Sequence, residues 1–370
     1  MISFVYGDPD MDSLPLEDMA EAAELLAENK RVDALSYANP VGSDGLAMAL
    51  AAKLKRDYDV EVTPEQILLS AGAASGLGLV VDMLVDAGDV VLADAPAWMG
   101  ATNMFRLAGA EVIGVPVDAE GVDPAAVEAA MDKLEAEGKQ AKFLYTIPTF
   151  QNPTGAELSV ERRKELARIA DERGLLILED DAYIDLRFAG EKKPTIYSMA
   201  QPGSVLLFGT LSKTIAAGLR LGWCAGPEKI IGIIAGGRTD SLRNTYTSAL
   251  AEWYIDTGKH AEHITNLQGI YGAKCAHMLA ALEREMPEGT TWTTPQGGFF
   301  IWVTLPSGVD AVDLLPAARA SNVDYIAGPA FHSDGSGRNA LRLSFSAVSA
   351  EQIDTGIARL AQVVRDAQSA

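Results

Sequence analysis

Cysteine is nearly absent: Cys224 and Cys275 are the only two in 370 residues. A chain of this size without a disulfide framework suits a reducing cytoplasm. Cys224 lies in the apolar run Leu221 to Ala225 and reads as a core residue. Bases are also scarce, 30 Lys+Arg against 51 Asp+Glu, a net charge of −21. Phosphate backbones need Lys and Arg, so no nucleic acid is expected as a main partner. The acidity bears on solubility rather than fold, and a small anionic ligand needs only a few local cations. No stretch approaches the roughly 18 apolar residues that span a membrane. The opening MISFVYGDPDMD lacks the basic-then-apolar order of a signal peptide. Gly and Pro are not in excess, which sets fibrous and disordered classes aside. What remains is a chain 48% hydrophobic, long enough for one large domain and a smaller one.

Short apolar runs alternate with helical patterns. Strands are expected at residues 67–70, 90–93, 111–117, 142–147, 175–178, 204–208 and 221–225. Helices are expected at 76–86, at 124–137 with Pro124 in the first turn and Gly138 as the stop, and at 160–173 between Ser159 and Gly174. This alternation predicts an α/β fold, a mostly parallel central sheet flanked by helices. The pattern changes near the end. Strands at 298–304 and 340–345 and helices at 309–320 and 350–367 predict a smaller α+β domain. The division expected is 1–40 as an irregular segment joining the small domain, 41–275 as the large domain and 276–370 as the small one.

Four strand ends carry candidate chemistry. In Gly209-Thr-Leu-Ser-Lys213-Thr-Ile-Ala-Ala-Gly-Leu-Arg220, a lysine follows an apolar strand beside two hydroxyls and an arginine. A desolvated lysine amine can form a Schiff base with an aldehyde, and Thr210, Ser212 and Arg220 can bind a dianionic phosphate. Taken alone, the segment is as readily a polar surface turn. In Leu178-Glu-Asp180-Asp-Ala-Tyr183, acids end a buried strand, where α/β sheets bind ligands. A carboxylate there can pair with a protonated pyridine nitrogen, although a bare Glu-Asp-Asp is more commonly a solvated loop. Pro148-Thr-Phe-Gln-Asn152-Pro-Thr-Gly155 is a turn in which Asn152 can donate to a ring oxygen. Ser70-Ala-Gly72-Ala-Ala-Ser-Gly76 joins a strand to a helix start, whose backbone N–H groups can cradle phosphate. His260 and His263 around Glu262 sit at a spacing common on solvated helix faces, and without a third ligand no metal is expected. Trp223, Phe299, Phe300 and Trp302 read as core.

Taken in order, with Pro295-Gln-Gly-Gly-Phe-Phe-Ile-Trp302 and Leu341-Arg342-Leu-Ser-Phe345, these segments resemble the fold-type-I enzymes that use pyridoxal 5′-phosphate (PLP). The nearest likeness is to class I/II aminotransferases of the 2-aminoadipate or MocR-like branch, from about Leu35 to the C-terminus. The resemblance implies transfer of an amino group between an α-amino acid and a 2-oxo acid, in amino acid metabolism. It implies that Lys213 carries the cofactor as a Schiff base and shuttles the proton. Asp180 would pair with the pyridine nitrogen, Asn152 and Tyr183 would contact the ring oxygen, and Trp98 would stack on the ring. Ala73 and Ala74 would offer backbone amides to the phosphate, with Thr210, Ser212 and Arg220 on its other side. Tyr37 matches a tyrosine sent to the partner subunit's phosphate, which implies a homodimer with shared sites. Arg342 matches the clamp on the substrate α-carboxylate, with Asn152 beside it.

The sequence departs from that pattern at several places. Ala73 and Ala74 stand where Ser and Gln are usual, Ala217 for Pro, Phe299 for Met, Ser344 for Asn and Met48 for Arg. No reacting group is lost. Two other readings share the motifs: a lyase, decarboxylase or oxidase with a different carbanion fate, or a MocR-like sensor domain. The sensor reading is disfavoured by acidity and by a start expected to leave no room for a winged helix.

Overall fold

The computed structural model describes residues 1–37, 45–237 and 243–369. Its centre is an eight-stranded sheet in the order Ile67–Ser70, Gly222–Ala225, Val205–Thr210, Leu176–Asp180, Ala141–Thr146, Val90–Ala95, Glu111–Asp118 and Gly121–Val122. From Val205–Thr210 to Glu111–Asp118 every pairing is parallel. Gly222–Ala225 runs antiparallel between two strands, and Gly121–Val122 closes a hairpin at the edge. The expectation of a mostly parallel sheet flanked by helices therefore holds.

Because both faces are covered, the strands are apolar throughout instead of alternating. Their side chains still point alternately to two cores. Val91, Phe143, Tyr145, Leu178 and Phe208 pack with Leu77, Val80, Ala101 and Phe105 of the helices Ala73–Leu84 and Met99–Leu107. Val90, Leu92, Leu144, Ile177 and Val205 pack with Val127, Met131, Leu166 and Ile169 of Pro124–Ala136 and Val160–Arg173. The local signals for the latter two helices act as read. Asp123 Oδ1 accepts from the Ala125 amide ahead of Pro124, Ser159 Oγ accepts from the Arg162 amide, and Gly174 ends its helix at φ 68°.

Several elements differ from expectation. The helix expected at 76 begins at Ala73, because Gly72 at φ +91° turns the strand end directly into it. Residues 1–40, irregular by sequence pattern, include the helix Leu16–Glu28. Its Ala, Leu and Glu content favours helix, but only Ala22 and Leu26 are buried, against Ala249 and Leu250, so the sequence shows no clear apolar stripe. Ile2–Ser3 pairs in parallel with Val323–Asp324.

The C-terminal part holds a four-stranded antiparallel sheet, Thr291–Trp292, Phe300–Thr304, Ala340–Ser344 and Ile326–Ala327 in that order. It packs on the helices Lys259–Glu285 and Ala350–Gln368. The boundary expected after residue 275 falls inside the continuous helix Lys259–Glu285, and the one after residue 40 lies outside the described residues. His260, read from its spacing as surface, is 1% exposed; its Nε2 lies 2.9 Å from Thr214 Oγ1, and burial lowers its pKa to about 4. Cys224 and Cys275 are both buried and free. Among the described residues no helix is long and apolar enough to cross a membrane.

Candidate active site

The C-terminal ends of the parallel strands open on one side of the sheet, where ligands of α/β folds bind. A cleft of about 460 Å³ lies there. Every residue nominated from the sequence lines it except Tyr37. Tyr37 is wholly exposed, beside the undescribed residues 38–44.

Lys213 follows the strand Val205–Thr210 and is half-buried. Its Nζ donates to the Gly7 carbonyl at 2.9 Å and lies 6.0 Å from the Phe299 ring centre. Burial lowers its pKa, with Arg220 and Arg342 adding to the effect and Asp8 and Asp180 opposing it. More of the amine is therefore unprotonated, and so nucleophilic, than in free lysine.

On the neighbouring strand Asp180 is 5% exposed. Its Oδ2 accepts from the Tyr145 hydroxyl at 2.7 Å, whereas Oδ1 has no hydrogen-bond partner. Burial raises its pKa to about 6, with Tyr145 holding it down and Asp181 pushing it up. A buried acceptor left open beside a cleft invites a donor from a ligand. Tyr183 packs edge-on to Phe299 and Phe300 at 5.6 and 5.9 Å, and burial raises its pKa.

At one end of the cleft the first turn of Ala73–Leu84 presents N–H groups that have no acceptor within the helix. No side chain caps that end. Arg220 lies beside it, its Nη2 on the Ala71 carbonyl at 3.1 Å. A Cβ on Gly72 would come within 2.8 Å of Arg220 Nη2, and one on Gly222 would run into the Ala73 amide. The cradle thus depends on both glycines. Thr210 Oγ1 donates to the Leu221 carbonyl at 2.9 Å and accepts from the Ser212 amide at 3.1 Å, which holds both hydroxyls at this end.

At the other end Arg342, 4% exposed, stands between the rings of Phe300 and Phe331, 4.1 and 5.1 Å from their centres. Its Nη1 donates to Asn152 Oδ1 at 2.8 Å and its Nη2 to the Val5 carbonyl, while Nε has no partner. Burial lowers its pKa to about 10. No carboxylate among the described residues pairs with this buried cation, so its charge is left for a ligand.

A family model described as Aminotransferase class I and II matches residues 1–360. The chain belongs to that family. It is similar to the aromatic-amino-acid aminotransferase 1 of Thermococcus litoralis, 35% identical over 368 residues, covering 99% of this chain and 88% of the relative. A crystal structure of LysN, the alpha-aminoadipate aminotransferase of Thermus thermophilus complexed with N-(5′-phosphopyridoxyl)-L-leucine, matches at a TM-score of 0.92 and 32% identity. It covers 100% of this chain and 93% of that one. An uncharacterized HTH-type transcriptional regulator of Bacillus subtilis is 33% identical over 368 residues, 97% of this chain and 72% of its own. This aminotransferase is a PLP-dependent enzyme of fold type I, in the 2-aminoadipate branch.

The residues present fit that cofactor: an open carboxylate oxygen for a ring N–H, an uncapped helix end with hydroxyls for a phosphate, and a half-buried amine between them. Sequence reasoning missed residues 5–8 of the aminotransferase, which line the cleft and take hydrogen bonds from Arg342 and Lys213 on backbone carbonyls. It also missed Tyr145. Phe300, expected to be core only, both lines the cleft and stacks on Arg342. Asp181, in a Glu-Asp-Asp run that taken alone suggests a solvated loop, is 3% exposed and buried beside Glu179 and Arg163, and burial raises its pKa. That makes it part of a buried charged group rather than a loop acid.

Proposed function

We propose that the cleft residues divide the work of transamination among themselves. The observation that carries this reading is the convergence of Lys213, the open Oδ1 of Asp180 and the unpaired Arg342 on one cleft. Held there, PLP supplies an aldehyde carbon that exchanges amines and a ring that takes up the electron pair left when a substrate C–H bond breaks. Lys213 Nζ would hold the aldehyde carbon until a substrate amine arrives and, once free, would serve as the base for the α-proton. Asp180 Oδ1 keeps a proton on the pyridine nitrogen. Asn152, whose Oδ1 is taken by Arg342, turns its Nδ2 donors toward the ring oxygen, with the Tyr183 hydroxyl beside it. Trp98 covers a ring face. The amides of Ala73 and Ala74, with Thr210, Ser212 and Arg220, hold the phosphate, and Arg342 grips the α-carboxylate.

Apart from Asp8 and Tyr6, the remaining lining, including Val5, Met99, Phe300 and Ile326, is largely apolar and suits large uncharged side chains. A panel of amino acids with 2-oxoglutarate, read by mass spectrometry, should show glutamate and the donor's oxo acid, with aromatic and branched donors leading. Ammonia, carbon dioxide or peroxide formed without glutamate would contradict amino transfer.

Asp180 and Asp181 separate by role. Asp180→Asn should keep PLP but lower turnover by roughly 10²-fold or more, the scale on which one electrostatic group acts in a transition state. Asp181→Asn should act mainly on stability, because Asp181 lies among Glu179 and Arg163 behind the site. Thermal midpoints and kcat of both variants check this, and equal loss of kcat would show the assignment to Asp180 to be mistaken.

The enzyme works as a cytoplasmic homodimer in which Tyr37 reaches the partner's phosphate. Its complete exposure supports this, as does the company of exposed Val32 and Leu35. The first strand, Ile2–Ser3, belongs with the small domain, whereas the helix Leu16–Glu28 lies against the large PLP-binding domain. Tyr37→Phe should weaken PLP binding about tenfold, the scale of one hydrogen bond to a charged group. In hybrids of Tyr37→Phe with Lys213→Ala, one site of each dimer carries neither defect. Activity in the mixture above that of the separate variants is expected, and an active monomer would exclude a shared site.

A further inference from the structure

Tyr145 lies in the strand Ala141–Thr146, next to the Asp180 strand and paired with Leu178. It is fully buried and takes no part in lining the cleft. Its ring packs edge-on to Phe105 at 5.5 Å and 72°. The hydroxyl therefore has a fixed position, and it donates to Asp180 Oδ2 at 2.7 Å. Of the two carboxylate oxygens of this cleft residue, one is tied to Tyr145 and the other has no hydrogen-bond partner.

A carboxylate alone in that pocket could turn about its Cβ–Cγ bond, and either oxygen, or neither, would face the ring. With Oδ2 tied to a rigid tyrosine the plane is set. We infer that Tyr145 is a positioning residue of the reaction, holding the Asp180 carboxylate so that Oδ1 alone meets the pyridine nitrogen. The inference rests on the role of Asp180 proposed above.

A second consequence follows from charge. An O–H donor on Oδ2 draws off part of the negative charge that Asp180 presents to the ring. The other charged or titratable groups near the pair are Asp181 just past the same strand, Lys213 just past the next strand, Asp94 on the strand Val90–Ala95, and Tyr183. None of these can replace the donor: Asp94 and Asp181 are acids, Lys213 is directed to Gly7, and Tyr183 lies at the cleft face. Without Tyr145 the carboxylate presents more negative charge to the cofactor and favours the protonated form of its chromophore.

The test uses the PLP-loaded enzyme. Tyr145→Phe removes one oxygen from a ring that already packs against Phe105. PLP content should stay at one per chain and KM should change little. Turnover should fall about 5- to 20-fold, and the pH midpoint of the visible absorbance band should rise by about half a unit. Made in an Asp180→Asn background, the same substitution should change neither quantity further. Unchanged turnover and midpoint in Tyr145→Phe would overturn the inference, as would equal losses in both backgrounds, which mark Tyr145 as packing alone. If Asp180→Asn itself behaves as wild type, the role of Asp180 fails first and the inference with it. Should Tyr145→Phe weaken the fold, the band's midpoint in the folded, PLP-loaded fraction still gives the answer.

Discussion

Lys213→Ala should abolish the visible absorbance band that the wild-type enzyme shows with PLP, and should lower turnover by at least roughly 10²–10⁴-fold, the range for loss of one positioned acid–base group. Among the described residues no other lysine lines the cleft. The cleft's remaining basic side chains, Arg220 and Arg342, are guanidiniums, not primary amines. The variant should nevertheless hold PLP, because in the proposed arrangement the first turn of Ala73–Leu84, Thr210, Ser212, Arg220 and Asp180 would bind parts of the cofactor that Lys213 does not touch. Absorbance spectra and PLP released on denaturation separate the two effects. A band that persists in Lys213→Ala would place the covalent link on another residue. Failure to bind PLP at all would mean that the lysine, and not the phosphate cradle, supplies most of the affinity.

What the sequence could reveal follows from how each residue acts. Lys213, Asp180 and Asn152 lie at or beyond strand ends and Arg342 in the middle of the strand Ala340–Ser344, each a polar side chain that interrupts or follows an apolar run and so stands out. The sheet itself was legible because strands covered on both faces are uniformly apolar, and caps such as Ser159 and Gly174 mark helix ends by their own chemistry. Residues 5–8 act through backbone carbonyls, which any residue possesses, so no side-chain pattern could point to them. Tyr145 sits inside an apolar strand and reads as core, which it also is; only its hydroxyl's partner on another strand gives it a further role. Phe300 was hidden the same way, since an aromatic beside Phe299 looks like packing until Arg342 is found on its face. Asp180 and Asp181 are adjacent acids in the sequence, and alternation along a strand sends them to opposite sides. The direction became evident only with Tyr145 on one side and Glu179 with Arg163 on the other. His260 shows the opposite error: its spacing with His263 suggested solvent, yet contact with Thr214 and Tyr254 buries it.

Arg342→Lys should lower kcat/KM for amino acids and 2-oxo acids alike by about 10- to 100-fold, while the visible band and PLP content stay at wild-type levels. The guanidinium is buried, flat between Phe300 and Phe331, and has no acid of its own. A substrate carboxylate can meet it with two parallel hydrogen bonds, a fork that an ammonium cannot reproduce. Each charge-assisted bond is worth about 1.5–3 kcal/mol, and losing one of them accounts for the expected factor. Lysine keeps the positive charge, so the loss measures geometry more than Coulomb attraction. A second effect must be separated from the first. Arg342 Nη1 also orients Asn152, which in the proposed arrangement would face the cofactor's ring oxygen, so some loss should appear with any substrate. A simple amine without a carboxylate reports that shared part, and its loss should be several-fold smaller than that for the matching amino acid. The difference between the two is the contribution of the fork. Equal losses for amine and amino acid would leave Arg342 a role in holding Asn152 but none as the carboxylate clamp, and an unchanged kcat/KM for both would remove it from the reaction.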